Sequence, residues 1–342
     1  MTIDDERKDM STNVMEQLRL KAKANPKRVV LPEADEENIL RAARQVGSMG
    51  IAYPMLVGKP ESVSALAGNI GVSLDGITVV DHTNQETVEH FIAEYTKIDP
   101  DLPASALERM LKDPLNFAAM MVRLGESDCM VAGLSHTTGE ITMASEMIIG
   151  LQEGISTVSS MGIASIPGYE GPEGNLLAIA DCAVCPSPEP NELADIAITT
   201  ADTVRNLMGW EPRVALLSFS TKGSASHELI DNILRALEMV HKRRPDLLID
   251  GELQLDSAIM PEVAAKKVPG NSPVAGRANI LIFPDLNAGN IGVKLIQCFA
   301  KAVAYGPILQ GFAKPVSDLS RTAPIEEIVG AITIMVVRAQ RK

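Results

Sequence analysis

Hydroxyl side chains, a lysine and a glycine lie together directly after a short apolar run, 213–217. This segment, 218–224, reads Ser-Phe-Ser-Thr-Lys-Gly-Ser. An apolar strand that leads into a polar loop is typical of ligand sites at the carboxyl edge of open α/β sheets. Hydroxyls, a cation and a glycine that allows close backbone approach are groups that bind an anion such as phosphate. We predict an anion-binding loop, with a capped turn as the alternative, and its candidate contacts are Ser218, Ser220, Thr221, Lys222, Gly223 and Ser224.

Other polar segments follow predicted strands or lie in loops that contain glycine and proline. They span 133–138, 283–290, 306–311 and 318–321. Their hydroxyl, amide and basic side chains favour recognition of an oxyanion by hydrogen bonds over metal-assisted chemistry. His136 is a candidate base, with a hydrogen-bonded structural role as the alternative. The candidate contacts in these segments are Ser135, His136, Thr137, Asp285, Asn287, Asn290 and Gln310.

Two further patterns have a metal or redox alternative. Asp250, Glu252 and Asp256 are candidates for a Mg²⁺ site, but helix capping or loop hydrogen bonding is the favoured interpretation. Cys182 and Cys185 form a C-x-x-C pair that has no second pair or neighbouring histidines. We therefore expect no metal site and no resident cofactor.

Length and composition bound the architecture. At 342 residues the chain is too long for one typical core, so we expect two domains. The formal net charge of −13 argues against general nucleic-acid binding. The apolar runs are shorter than a bilayer span and the acidic N-terminus lacks an apolar core, so neither a membrane segment nor a secretory signal is predicted. Four cysteines without a disulfide pattern fit a reducing cytoplasm.

Strands and helices alternate along the chain, and they must position the polar segments. Helices are predicted at 36–49 and 113–125, with others between the later strands. This alternation predicts βαβ units and an α/β fold with mostly parallel sheets. Strands are predicted at 28–31, 53–57, 77–80, 129–132, 176–180, 214–217, 247–250 and 280–283.

Several sequence blocks resemble the phosphate acetyltransferase (phosphotransacetylase) family, whose relatives include ethanolamine-utilisation and butyryl-transferring enzymes. The blocks follow the family order, and the resemblance runs from about residue 28 to residue 335. They read VVLPEADEE (29–37), DPLNFAAMMVRLGESD (113–128), LSFSTKGSA (217–225), DGELQLDSA (250–258), VAGRANILIFPDLNAGNIG (274–292), GPILQG (306–311) and AKPVSDLSR (313–321).

The resemblance implies a two-domain, three-layer αβα fold of the isocitrate or isopropylmalate dehydrogenase type. Residues 1–154 together with 309–342 would form one domain. Residues 155–308 would form the other, which would also carry the dimer interface. The active site is then expected in the cleft between the domains of a cytoplasmic homodimer.

The implied reaction is reversible acyl transfer, in which acetyl-CoA and phosphate interconvert with acetyl phosphate and CoA without a metal. CoA is a substrate here, and its thiolate attacks the acyl group in a ternary complex. Carried over by position, Ser320 would bind the acyl-phosphate oxygens and Arg321 would stabilise negative charge. Glu327 stands where the family has an aspartate base. Because thiol and carboxyl pKa values differ by about four units, roughly 6 kcal/mol, burial must raise the pKa of the base.

The resemblance departs from the family at the nucleotide end of the CoA site. Asn38, Thr96 and Met143 stand where the family usually has arginines that bind CoA phosphates, so the identity of the thiol stays open. Two alternatives to acetyl transfer follow. One is a phosphate butyryltransferase or another short-chain acyl transferase. The other is a non-catalytic paralogue that binds acyl phosphate.

Overall fold

The structure, a computed structural model, describes residues 3–340 of the chain, with side chains from residue 14 onward. The chain divides into two compact units. The split unit comprises Val14–Gln152 and Phe312–Lys342. The central unit comprises Glu153–Gly311. Each unit has its own sheet.

The secondary structure follows the alternation that the sequence predicts. The strands are β1 (Lys27–Leu31), β2 (Ala52–Val57), β3 (Thr78–Val80), β4 (Cys129–Ala132), β5 (Ser159–Ser165), β6 (Leu176–Ala180), β7 (Arg213–Leu217), β8 (Leu248–Leu253), β9 (Ile280–Ile282), β10 (Val303–Gln310) and β11 (Val316–Asp318). The helices are α1 (Ile3–Ala24), α2 (Glu37–Ser48), α3 (Pro60–Ile70), α4 (Gln85–Thr96), α5 (Ala104–Met110), α6 (Pro114–Arg123), α7 (Thr138–Ile148), α8 (Pro190–Met208), α9 (Glu228–Arg243), α10 (Leu255–Ile259), α11 (Pro261–Lys267), α12 (Leu286–Phe299) and α13 (Ile325–Ala339). Among the described helices, none combines the length and the apolar character that a membrane span requires.

The split unit contains a parallel sheet in the strand order β11-β4-β1-β2-β3. Strand β4 and residues Val29–Leu31 of β1 are apolar and buried, because α6 and α13 pack against these two strands, while α2 packs against β2. In the register of β11 with β4, Asp318 lies opposite Ala132. The carboxyl ends of parallel strands share one edge, so the segments after β1, β4 and β11 are neighbours.

The central unit contains a mixed sheet in the order β10-β5-β6-β9-β7-β8. Strands β6, β9, β7 and β8 run parallel, and β5 is antiparallel to both β6 and β10. Helices α8 and α9 pack against each other, α8 also contacts β6, β7 and β9, and α9 contacts β8. The segment 218–224 directly follows β7, at the carboxyl end of this parallel part of the sheet.

The predicted α/β class with mostly parallel sheets is confirmed, but two polar segments are not loops. Residues 306–310 belong to β10, where Pro307 lies at an irregularity in the pairing with β5. Residues 286–290 form the start of α12, and Asp285 caps this helix by accepting the N–H of Ala288 at 2.9 Å. Strands β5, β10 and β11 were not predicted from the sequence.

Candidate active site

A buried carboxylate organises the loop that follows β4. Glu33 lies two residues after β1 and is only 1% exposed. It accepts the four consecutive backbone N–H groups of residues 133–136 at 2.9–3.1 Å. Burial raises the pKa of Glu33, but hydrogen bonds from His136 and from the loop backbone outweigh burial and leave the pKa lowered. A negative charge supplied by the protein itself therefore holds this loop.

His136 is tied into the same arrangement. Its Nδ1 lies 2.9 Å from Glu33 Oε1, and its Nε2 lies 3.9 Å from a carboxylate oxygen of Asp113. Each imidazole nitrogen therefore faces a carboxylate, and a role for His136 as a base and a purely structural role both stay predictions.

Asp318, at the end of β11, approaches this loop closely. Gly133 makes the approach possible: a Cβ there would lie 2.4 Å from backbone atoms of Leu319 and 2.7 Å from Asp318 Oδ1, and its φ is +133°. Thr138 Oγ1 donates to Asp318 Oδ2 at 2.5 Å, whereas the buried Oδ1 has no hydrogen-bond partner among the described residues. Burial raises the pKa of Asp318, and the nearby charge of Glu33 adds to this, against the hydrogen bond from Thr138 and the adjacent backbone N–H of Leu319.

An exposed turn with available polar side chains follows Asp318. The N–H of Ala323 donates to Ser320 O at 2.9 Å, and Asn38 Nδ2 donates to Ala323 O at 3.3 Å, so both ends of the turn are held. Ser320 Oγ lies 3.3 Å from Thr322 Oγ1. Arg321 is exposed and forms no hydrogen bond or ion pair within residues 14–340. Its guanidinium is therefore available to an anion.

The start of α7 lies near this arginine. Thr137 caps α7 in a reciprocal arrangement with Glu140. The pKa of Glu140 is lowered by the backbone and side-chain hydrogen bonds of Thr137, and further by the charges of His136 and Arg321. The helix N-terminus and the guanidinium both favour negative charge at this edge of the sheet.

In the central unit, carboxylates also hold the loop 218–224. Glu252 on β8 is 2% exposed and accepts both Ser220 Oγ and the N–H of Gly223 at 2.8 Å. Lys222 pairs with Asp250. Asp250 and Glu252 thus make loop hydrogen bonds, the alternative to a Mg²⁺ site. Among the described residues, no group of three or more histidine, cysteine or acidic side chains is placed to hold a metal ion.

The other predicted contacts of the central unit lie in different surroundings. Asn287 and Asn290 are exposed on α12, and Asn290 Nδ2 donates to Cys182 O at 3.2 Å. Gln310 is fully buried, and its amide donates to Ser159 Oγ at 3.0 Å and to Thr200 Oγ1 at 2.7 Å. The Gln310 amide nitrogen is thus engaged inside the central unit, whereas its Oε1 is buried without a hydrogen-bond partner among the described residues. Substrate contact by these three residues stays a prediction.

The C-x-x-C pair has the properties of unreactive thiols. Neither cysteine is in a disulfide. Burial is the main cause that raises the pKa of Cys182 to about 12 and that of Cys185 to about 11, with nearby acidic residues adding to it. Both thiols are therefore protonated at neutral pH, where a nucleophile or metal ligand needs the thiolate.

The similarity to known proteins extends along nearly the whole chain. Residues 13–336 match the family model for phosphate acetyl/butaryl transferase. The chain belongs to this family. A phosphate acetyltransferase from Clostridium acetobutylicum is 46% identical over 322 residues, which cover 94% of this chain and 96% of the relative.

Solved structures of the family resemble this phosphate acyltransferase closely. The EutD phosphotransacetylase from Staphylococcus aureus superimposes with a TM-score of 0.88 at 31% identity, over 96% of this chain and 98% of that protein. A phosphotransacetylase from Streptococcus pyogenes gives a TM-score of 0.87 at 34% identity, over 100% of both chains.

The positions carried over from the family lie in the split unit of this acyltransferase. Ser320 and Arg321 share the exposed turn, and Glu327 is exposed in the first turn of α13. At the three positions where the family usually has arginines that bind CoA phosphates, this chain has no cation. Asn38 donates a hydrogen bond to the turn, and Thr96 Oγ1 donates within its own helix, to Ile92 O. The third position, residue 143, is an exposed methionine.

Glu33 and Asp318 were not among the candidate site residues predicted from the sequence, although Asp318 begins the polar segment 318–321. The signal for both is a carboxylate at or just after the carboxyl end of an apolar strand, which is where open α/β sheets collect functional groups. Each of the two side chains also lies within a family-like block, at 29–37 and 313–321.

Proposed function

We propose that this chain transfers an acetyl group between phosphate and the thiol of CoA, interconverting acetyl-CoA and phosphate with acetyl phosphate and CoA. The exposed turn of Ser320 and Arg321 carries this proposal, since its guanidinium is unpaired within the described chain at the carboxyl edge of a parallel sheet. A guanidinium binds phosphate oxygens through two parallel hydrogen bonds, and a neighbouring hydroxyl adds a third donor. Family membership over residues 13–336 supports the same reaction.

The proposed chemistry is thiolate attack on the carbonyl carbon of acetyl phosphate. The carbon–sulfur bond forms, and the carbon–oxygen bond to phosphate breaks with its electron pair going to phosphate. Arg321 and Ser320 stabilise the negative charge that develops on the acyl and phosphate oxygens. The thiol proton ends on the released phosphate, so no oxidant, reductant or metal is required. Glu327 is the base that the family resemblance predicts.

Two alternatives share this binding turn. The family description includes butyryl transfer, so the acyl group is decided by relative rates with acetyl, propionyl and butyryl phosphate. A non-catalytic paralogue would bind acetyl phosphate without forming a thioester. We propose CoA and phosphate as the partners. A cytoplasmic location, a homodimer interface on residues 155–308 and the absence of nucleic-acid partners remain predictions.

The identity of the thiol substrate is tested with shortened forms of CoA. We expect dephospho-CoA to be used with a kcat/KM within about tenfold of that for CoA, because positions 38, 96 and 143 offer no cation to its nucleotide phosphates. The measurement is thioester formation from acetyl phosphate with CoA, dephospho-CoA and pantetheine. A preference for CoA above about a hundredfold would contradict this expectation and show that other cations bind the nucleotide.

A further inference from the structure

Asp318 combines a buried, unsatisfied oxygen with a position beside the proposed reaction. It ends β11 and precedes Ser320 by two residues. Within the described chain its Oδ1 is buried without a hydrogen-bond partner, while Oδ2 accepts from Thr138. An unpartnered buried carboxylate oxygen is costly, and such groups persist mostly where they have a role.

The surroundings of Asp318 are opposite to those of its acidic neighbour. Glu33 is surrounded by donors, four backbone N–H groups and His136, and its pKa is lowered despite burial. Burial raises the pKa of Asp318, and the charge of Glu33 raises it further. Opposite pKa shifts of two neighbouring carboxyls suit different tasks, and the carboxyl with the raised pKa is the one suited to accept a proton.

Thr138 connects the buried carboxylate with the surface. Thr138 is exposed, and its Oγ1 lies 2.5 Å from Asp318 Oδ2. A hydroxyl donates one hydrogen bond and accepts others, so it can pass a proton on while receiving one. Thr138 is also the first residue of α7, near which Arg321 lies.

We propose that Asp318, acting through the hydroxyl of Thr138, accepts the thiol proton in acyl transfer and returns it to the departing phosphate, in place of Glu327. This proposal rests on the acyl transfer proposed above. The thiol gives its proton to Thr138 Oγ1 while the Thr138 proton moves to Asp318 Oδ2, and the carbon–sulfur bond forms. When the bond to phosphate breaks, the reverse relay protonates a phosphate oxygen. Asp318 and Thr138 end in the states in which they began.

Other charged groups surround Asp318 and Thr138 and affect the pKa of Asp318. Glu33, with His136 bound to it, lies on the β1 and β4 side, and Arg321 lies in the turn. Titratable residues on the elements packed against β11 are Cys129 on β4, Glu140 and Glu146 on α7, and Glu326, Glu327 and Arg338 on α13.

The test compares kcat against pH for the wild type, Asp318→Asn, Thr138→Val and Thr138→Ser. Asp318→Asn should lower kcat by about 10²–10⁴-fold, leave the KM for acetyl phosphate within about threefold and abolish the acid limb of the profile. Thr138→Val should lower kcat by at least about tenfold, and Thr138→Ser should restore most of that loss. Asp101→Asn, an exposed carboxylate outside the site, is the matched control.

Folding is followed by thermal unfolding of each variant. Because the folded-state pKa of Asp318 is raised, the folded protein loses stability as pH rises through that pKa, so Asp318→Asn should be at least as stable as the wild type at neutral pH. If Asp318→Asn does not fold, the kcat values of Thr138→Val and Thr138→Ser test the proposal, and equal loss or no loss of kcat in both variants would overturn it. The proposal would be overturned if the pH profile of kcat kept its acid limb in Asp318→Asn and lost it in Glu327→Gln. An inactive wild type would instead overturn the acyl transfer itself.

Discussion

Glu33→Ala is expected to destabilise the split unit by about 3–5 kcal/mol. The substitution removes the shared acceptor of four backbone N–H groups and of His136 at a position that is 1% exposed. Each buried donor left without a partner costs about 1–3 kcal/mol, and water entering the space recovers part of the sum. Urea unfolding at neutral pH, monitored by circular dichroism, measures the change.

The Glu33 effect also has a pH signature. Because its folded-state pKa is lowered, its stabilising contribution is present above the ordinary carboxyl pKa and is lost as pH falls through the folded value. The difference between the wild type and Glu33→Ala should therefore shrink in acid. Glu61→Ala, at an exposed glutamate of the same unit, serves as control. A Glu33→Ala protein as stable as the wild type at neutral pH would show that the loop 133–136 does not depend on this carboxylate.

Arg321→Ala is expected to lower the rate of acetyl-CoA formation by about 10²–10³-fold. The guanidinium is exposed and has no ion pair in the described part of the chain, so its charge is available to the phosphate and the developing oxyanion. Lysine keeps the charge but loses the planar pair of donors, so Arg321→Lys should recover only part of the rate. Initial rates with acetyl phosphate and CoA measure both variants.

Stability and ligand binding separate a role in catalysis from a role in folding. Arg321 contributes no hydrogen bond or ion pair to the described fold, so Arg321→Ala should unfold at the wild-type temperature but lose thermal stabilisation by acetyl phosphate. Arg109→Ala, at an exposed arginine on α5, should behave as the wild type. Full activity and full stabilisation in Arg321→Ala would remove this residue from the site.

The parallel strands were predictable because they are short, apolar and bounded by polar residues. Val-Val-Leu in β1 and Cys-Met-Val-Ala in β4 are almost entirely buried, as the interior of a parallel sheet requires. Strands β5 and β10 were missed because their sequences, SSMGIAS and VAYGPILQ, contain small, polar, glycine and proline residues that favour turns. Their antiparallel pairing with each other is a long-range contact that no local pattern reports.

The candidate site was predictable in part. Residues 320 and 321 were found through a resemblance, and their exposure on a turn is consistent with that role. The loops 133–138 and 218–224 are rich in donors, and buried carboxylates of the protein accept several of them; whether the loops also contact substrate stays a prediction. Glu33 lies 100 residues before Gly133, and Glu252 lies 32 residues after Ser220, so spacing along the chain could not reveal either pairing.

The most direct test of the account is the product formed by the wild-type protein from acetyl phosphate and CoA. We predict that acetyl-CoA and phosphate appear in equal amounts, and that adding phosphate to acetyl-CoA runs the reaction backwards. Absence of thioester at saturating concentrations of both substrates, while acetyl phosphate still raises the unfolding temperature, would contradict the proposed activity. That result would identify a protein that binds acyl phosphate without transferring its acyl group.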